Sequence, residues 1–103
     1  MAWVYLAVAG ILEIVWAVAM KQSFGFTRPL PTLVMAIGMA GSFGFLALAM
    51  RTLPLGTAYP VWTGIGAVGA FIVGFVLFGE HVNALRVAAA VMIVAGIVTM
   101  KMA

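Results

Sequence analysis

Cysteine is absent from the chain and acid nearly so. Of its 103 residues two are carboxylic acids, Glu13 and Glu80, one is histidine, His81, and four are proline. Without thiols there is neither a disulfide framework nor a thiolate metal site, and one histidine beside two separated carboxylates does not make a zinc or iron set. No metal and no cofactor is expected. The scarcity of charge excludes more. Charged residues make up 7% of the chain, against about 25% in an ordinary globular protein. A soluble fold of this length leaves about a third of its surface in water, and so few charges cannot cover it. The five lysines and arginines give a net charge of +3, but they are scattered along the chain, so nucleic acid is not implied as a partner.

What is present is apolar: 67% of the residues are hydrophobic. A window of about 19 residues finds four apolar spans, 2–20, 32–50, 58–78 and 84–100, separated by short polar or Pro/Gly-bearing stretches. Three are long enough to cross a bilayer, and the fourth, about 25 Å as a helix, is marginal. The separators hold Lys21, Arg28, Arg51, Glu80 and His81, while Arg86 and Lys101 flank the last span. From there long side chains can reach the headgroups. Pro29, Pro31 and Pro54 also fall between spans, where a missing backbone donor does little harm. The first span is read as a retained helix rather than a signal peptide, because no basic stretch precedes it and Glu13 interrupts it. Backbone groups in hydrocarbon must be satisfied internally, and no span shows strand alternation, so the reading is four transmembrane helices in one domain over residues 1–103.

Loop charge does not orient the chain. With both termini on one side, that side carries Arg51 and Lys101 and the other carries Lys21, Arg28 and Arg86. The positive-inside rule is then almost silent. Two readings stand: a weak bias, or insertion both ways up followed by pairing of the two orientations. The second gains support from the poverty of the single chain, since two copies facing opposite ways create a two-fold axis in the membrane plane.

One acid lies at membrane depth. Glu13 sits about 16 Å along the helix from Ala2 and about 10 Å from Met20. An ionised acid there costs roughly 2.5–3.5 kcal/mol even on lenient insertion scales, so it must meet a partner, a cavity or a proton. No lysine or arginine shares that depth. Two readings remain open, a permanently protonated carboxyl making an interhelical hydrogen bond, and a site at which proton and cation compete. If they compete, and the loaded site opens to one side at a time, a proton gradient drives the cation outward. A second Glu13 brought near by an opposed copy would couple the two titrations.

Helical spacing selects the neighbours. Gly10, Glu13, Ala17 and Met20 run down one face, with Trp16 at i+3 from the acid. Gly38, Gly41, Ser42 and Phe45 form a small-residue stripe in the second span. Ser42 is either bonded back to its own helix or part of a site. Tyr59 and Trp62, again i and i+3, are either interfacial belt residues or donors and π faces for a desolvated cation. Gly64, Gly66 and Gly69 match G-x-G-x-x-G as a string. No strand and no βαβ unit surround them, so they are read as thinning the helix or letting it bend. Pro60 removes a helical bond unless it falls in the first turn. In the last span Ala89 and Gly96 align seven residues apart, which marks a packing helix at a dimer contact.

These residues carry a resemblance. Glu13 followed by Ile14-Val15-Trp16-Ala17, then Gly25-Phe26-Thr27-Arg28, Gly56-Thr57-Ala58-Tyr59 and Trp62-Thr63-Gly64-Ile65-Gly66, resembles the small multidrug resistance transporter family over the whole chain. Trp16, Thr63 and the terminal Lys101 resemble its guanidinium exporter subtype rather than the quaternary-ammonium subtype. The resemblance implies an all-α membrane protein of four helices per protomer, assembled as an antiparallel, dual-topology homodimer in a bacterial plasma membrane and exchanging protons for guanidinium-type small cations. By motif position it makes Glu13 the shared proton and substrate site, with Trp16 and Ser42 bonding the carboxylate and Tyr59 and Trp62 lining the pocket. Met39 and Phe43, one turn apart, would form a lipid-facing portal. Pro60 and Ala89 depart from the family pattern, where a small helix former and a glycine are usual.

The cation itself fits a carboxylate in an apolar setting. Guanidinium is planar, offers N–H pairs for bidentate bonding, and is weakly hydrated, so it loses water more cheaply than an ammonium. The competing functions are a broad quaternary-ammonium exporter of the same family, one subunit of a heterodimeric exporter, and a membrane assembly protein. An enzyme is disfavoured because no nucleophile–base pair is present.

Overall fold

A computed structural model describes residues Met1–Ala103 as four helices: α1 (Ala2–Gln22), α2 (Pro29–Ala49), α3 (Leu55–Phe78) and α4 (Ala84–Met102). All four are long and apolar enough to cross a membrane. The helices run past the apolar spans at several ends, and the prolines explain how. Pro29 and Pro31 lie inside the first turn of α2 rather than before it, because the N–H groups of a first turn have no intrahelical acceptor and proline's fixed φ already suits a helix. Pro54 is the N-cap of α3. Pro60 falls inside α3, in its second turn, so Gly56 loses the donor its carbonyl would normally accept.

The loops are short and locally bonded. After α1 the Ser23 hydroxyl donates to the Met20 carbonyl (2.7 Å) and accepts from the Phe26 N–H (3.1 Å), while Thr27 Oγ1 donates to Phe24 O (2.9 Å). Phe24, Gly25 and Phe26 all take positive φ. Asn83 caps α4, its Oδ1 accepting from the Arg86 N–H at 2.8 Å, a bond that satisfies one of the orphan donors of that helix.

Side-chain pairing reads out the topology. Along α1 and α2 the contacts Tyr5–Phe45, Ala9–Ser42, Leu12–Gly41 and Trp16–Gly38 fall in α2 numbering as they rise in α1 numbering, so these helices are antiparallel. Gly10–Ile65, Glu13–Gly66 and Ile14–Gly69 rise together, so α1 and α3 run parallel. α1 therefore stands between α2 and α3 and shows each a different stripe. The backbone of α4 packs on α3, with Ile93 and Ile97 against Gly64. α4 reaches α1 only through side chains at its end, where Lys101 Nζ lies 5.6 Å from the centre of the Trp3 ring.

The result is a flat array of 41 × 34 × 16 Å, little thicker than one helix of about 10–12 Å. Only 16 of the 103 residues are buried, and none of them is on α4. The core that exists, Leu6, Ala9, Leu46, Ala49, Ala58, Val61 and Trp62, gathers where α1 starts, α2 ends and α3 starts. Tight approach at this end rests on small residues rather than on a hydrophobic drive, since lipid tails are as apolar as leucine.

Candidate functional site

Glu13 lies one turn beyond Ala9 in this core, on the face of α1 that meets α3. Gly66 makes the place. A Cβ built on Gly66 would overlap the Glu13 carboxylate and come within 2.8 Å of its Cγ, so the carboxylate rests on bare α3 backbone. Any larger residue at 66 would hold it away. No lysine, arginine or histidine bonds Glu13, and the only ion pair of the protein is Lys21–Glu80.

The one polar cluster inside the array stands beside the acid and joins three helices. Ser42 Oγ on α2 donates to the Ala9 carbonyl of α1 at 2.7 Å and accepts from Trp62 Nε1 of α3 at 2.9 Å. All of it is buried. The serine thus bonds neither its own helix nor the acid: it meets the α1 carbonyl one turn before Glu13. Buried polar groups must find partners, and this hydroxyl satisfies two at once.

Trp16 carries the opposite condition. Its Cβ lies 3.2 Å from the position a Gly38 side chain would occupy, which seats the indole between α1 and α2. Its Nε1 is buried and has no hydrogen-bond partner. An unbonded indole N–H three residues from a carboxylate is a donor in waiting, because leaving it unpaired costs about 1–3 kcal/mol.

The aromatic residues form a continuous row. Trp16 meets Phe43 edge-on at 6.5 Å between ring centroids, Phe43 meets Trp62 at 5.7 Å, and Trp62 meets Tyr59 at 5.5 Å. The sequence placed Phe43 only with Met39 at a lipid-facing portal, yet its ring bridges the two tryptophans. Sequence spacing does not show this, since the link crosses from α1 to α2 to α3. Phe43 and Tyr59 are each about half exposed, at 47% and 51%, so the row is wet or lipid-bathed at two points. Met39 is half-buried on α2 one turn from Phe43.

The remaining small residues divide by partner. Gly10 is buried against Ile65, and Gly69 receives Ile14. Gly64 faces α4, while Gly66 faces α1, so the glycines of α3 serve two opposite faces of a helix that continues unbroken from Leu55 to Phe78. Ala89 lines a shallow groove with Phe71 and Ile93, and Gly96 lines another with Pro60 and Gly64. On α1 the stripe toward α3 ends in Lys21 rather than Met20, which is exposed.

Four membrane-length helices in a flat array, with one acid halfway along α1, define a small multi-pass membrane protein. The family model for the Small Multidrug Resistance protein matches residues 1–95. The chain belongs to that family. It is 51% identical over 102 residues to the guanidinium exporter of Escherichia coli strain K12, covering 99% of this chain and 97% of that one. Proteins of the same name from Yersinia pseudotuberculosis and Proteus vulgaris are 50% and 52% identical over 103 residues, covering all of this chain and 99% of each.

Proposed function

We propose that the protein exports guanidinium, and small cations bearing that group, in exchange for protons across a bacterial plasma membrane. The observation that carries this reading is Glu13 on the bare backbone of Gly66, the sole acid at membrane depth, with an unpaired indole N–H and a row of aromatic rings near it. A carboxylate so placed binds either a proton or a planar cation, and a guanidinium can give it two parallel N–H bonds while its faces lie against rings. The name shared by relatives about 50% identical over the full chain supports the same cation.

Export needs the loaded site to face one side at a time. A 16 Å slab cannot enclose a pathway, and α4 offers a whole uncovered face. Both support assembly with a second copy. The nearly even split of Arg51 and Lys101 against Lys21, Arg28 and Arg86 supports an inverted one, an antiparallel homodimer in which two Glu13 carboxylates share a cavity between the arrays. Roles follow for the neighbours: Trp16 donates to the carboxylate or its cation, Ser42 and Trp62 hold the wall, Tyr59 closes one end, and Met39 with Phe43 admits alkyl substituents from the lipid side. Gly64, Gly66 and Gly69 let α3 move between its two partners, and Ala89 with Gly96 on α4 packs against the opposed copy.

The test is electrogenic current from purified protein in proteoliposomes on a solid support, with guanidinium, urea and tetrapropylammonium in turn. Guanidinium alone is expected to give sustained current, and Glu13→Gln to abolish it. Normal exchange by that variant would refute the reading. A larger current with tetrapropylammonium would point instead to a broad quaternary-ammonium exporter.

A further inference from the structure

The second carboxylate of the chain is folded onto α3 by its own loop. Gly79 takes φ 63°, a left-handed value open to glycine at little cost. The N–H groups of Gly79 and Glu80 both bond back to the Gly74 carbonyl, the latter at 3.2 Å. This reversal lays the Glu80 side chain over Gly74, where an added Cβ would stand 2.6 Å from Oε1. A cation already sits there. Lys21 Nζ of α1 is 3.5 Å from Glu80 Oε2 and 5.5 Å from the centre of the Phe78 ring. Carboxylate, ring and ammonium border one cleft of about 190 Å³, whose inner walls include Ala17 and Ala70.

That cleft is in register with the central acid. Ala17 and Lys21 follow Glu13 by four and eight residues, as Ala70 and Gly74 follow Gly66. On parallel helices these positions share one seam, so the cleft lies about 12 Å from Glu13 along the α1–α3 contact. Between the two levels the Ile14 side chain packs on the bare backbone of Gly69, an apolar and flexible spacer that carries no competing charge. We propose that Glu80 and Phe78 form an outer station for guanidinium, and that the Lys21 ammonium occupies it as a tethered stand-in that an arriving guanidinium displaces on its way to or from Glu13.

Displacement is cheap. The Lys21 and Glu80 side chains are 58% and 47% exposed, and pairs so exposed are weak. Lysine makes one long contact, whereas free guanidinium can bond the carboxylate through two N–H groups and stack on Phe78. The station rests on the proposed guanidinium export, because it supplies that cation to Glu13.

A structural clasp between α1 and the α3–α4 loop would behave otherwise, and substitutions separate the two. Guanidinium currents are measured against concentration for the wild type, Glu80→Gln, Lys21→Met and Lys21→Arg. Loss of the carboxylate is expected to raise KM about two- to fivefold, and loss of the tethered competitor to lower it by a similar factor. Lys21→Arg, a conservative change that tethers a better competitor, is expected to raise KM. A clasp would give Glu80→Gln and Lys21→Met shifts of the same direction, and Lys21→Arg little change; that pattern, or three unchanged KM values, overturns the station. Absence of guanidinium current from the wild type would overturn the exporter reading with it, whereas wild-type current with same-direction shifts overturns the station alone.

Discussion

Replacing Gly66 by alanine adds one methyl group to α3 at the floor beneath Glu13. For the fold this is favourable or neutral, because alanine exceeds glycine in helix propensity by about 1 kcal/mol and the atoms it meets are the far end of a flexible side chain. For the site it is costly. The new Cβ overlaps the carboxylate and lies 2.8 Å from Cγ, against about 3.5–4.0 Å for carbon atoms in contact. The acid must therefore withdraw by about 1 Å or more. A misplacement of that size at a reacting group can cost on the order of 100-fold, so kcat/KM for guanidinium exchange is expected to fall about 10- to 100-fold. Thermal unfolding in detergent should stay within a few degrees of the wild type. Gly44→Ala is the control, since nothing lies within 4 Å of its added Cβ, and it should leave the currents unchanged. Wild-type exchange by Gly66→Ala would show that the carboxylate does not work from the floor of Gly66.

Ser42→Ala removes the donor to Ala9 O and the acceptor of Trp62 Nε1 together; the stranded buried groups are expected to cost about 1–3 kcal/mol, read as a lowered midpoint of thermal unfolding. Trp16→Phe breaks no hydrogen bond, so stability should hold while KM for guanidinium rises about tenfold; an unchanged KM would remove Trp16 from the site. If proton and cation compete at Glu13, acidification depopulates the binding-competent form, and KM should rise toward a limit of about tenfold per pH unit. Currents recorded across a pH series with a fixed gradient would reveal a flat profile if the two do not compete.

The helices were legible in the sequence because hydrocarbon allows few alternatives: four apolar spans parted by prolines, glycines and charges leave helices as the economical answer. Their ends were less so. Pro29 and Pro31 read as loop because proline excludes a helix interior, yet they occupy a first turn, where that objection vanishes. Glu13 was conspicuous by cost alone, and the stripe of Gly38, Gly41, Ser42 and Phe45 did face one helix. The partner of Ser42 was hidden, because an interhelical carbonyl leaves no mark in sequence. So was the position of Phe43 between Trp16 and Trp62. One signal passed unused: the eight-residue step from Gly66 to Gly74 repeats the step from Glu13 to Lys21, and parallel helices turn that repeat into a seam.

The bare backbone under Glu13 also bears on how such a protein can diversify. Glycine has nothing left to truncate, so mutation can raise that floor but never deepen it. If guanidinium binds at Glu13 as proposed, new substrates must then be accommodated at the half-exposed rings of Phe43 and Tyr59, and trimming Tyr59, which meets the row at Trp62 rather than at Trp16, disturbs the surroundings of the acid least. Under that proposal, recognition of the charged head is insulated from drift, while tolerance for whatever the head carries stays open to selection.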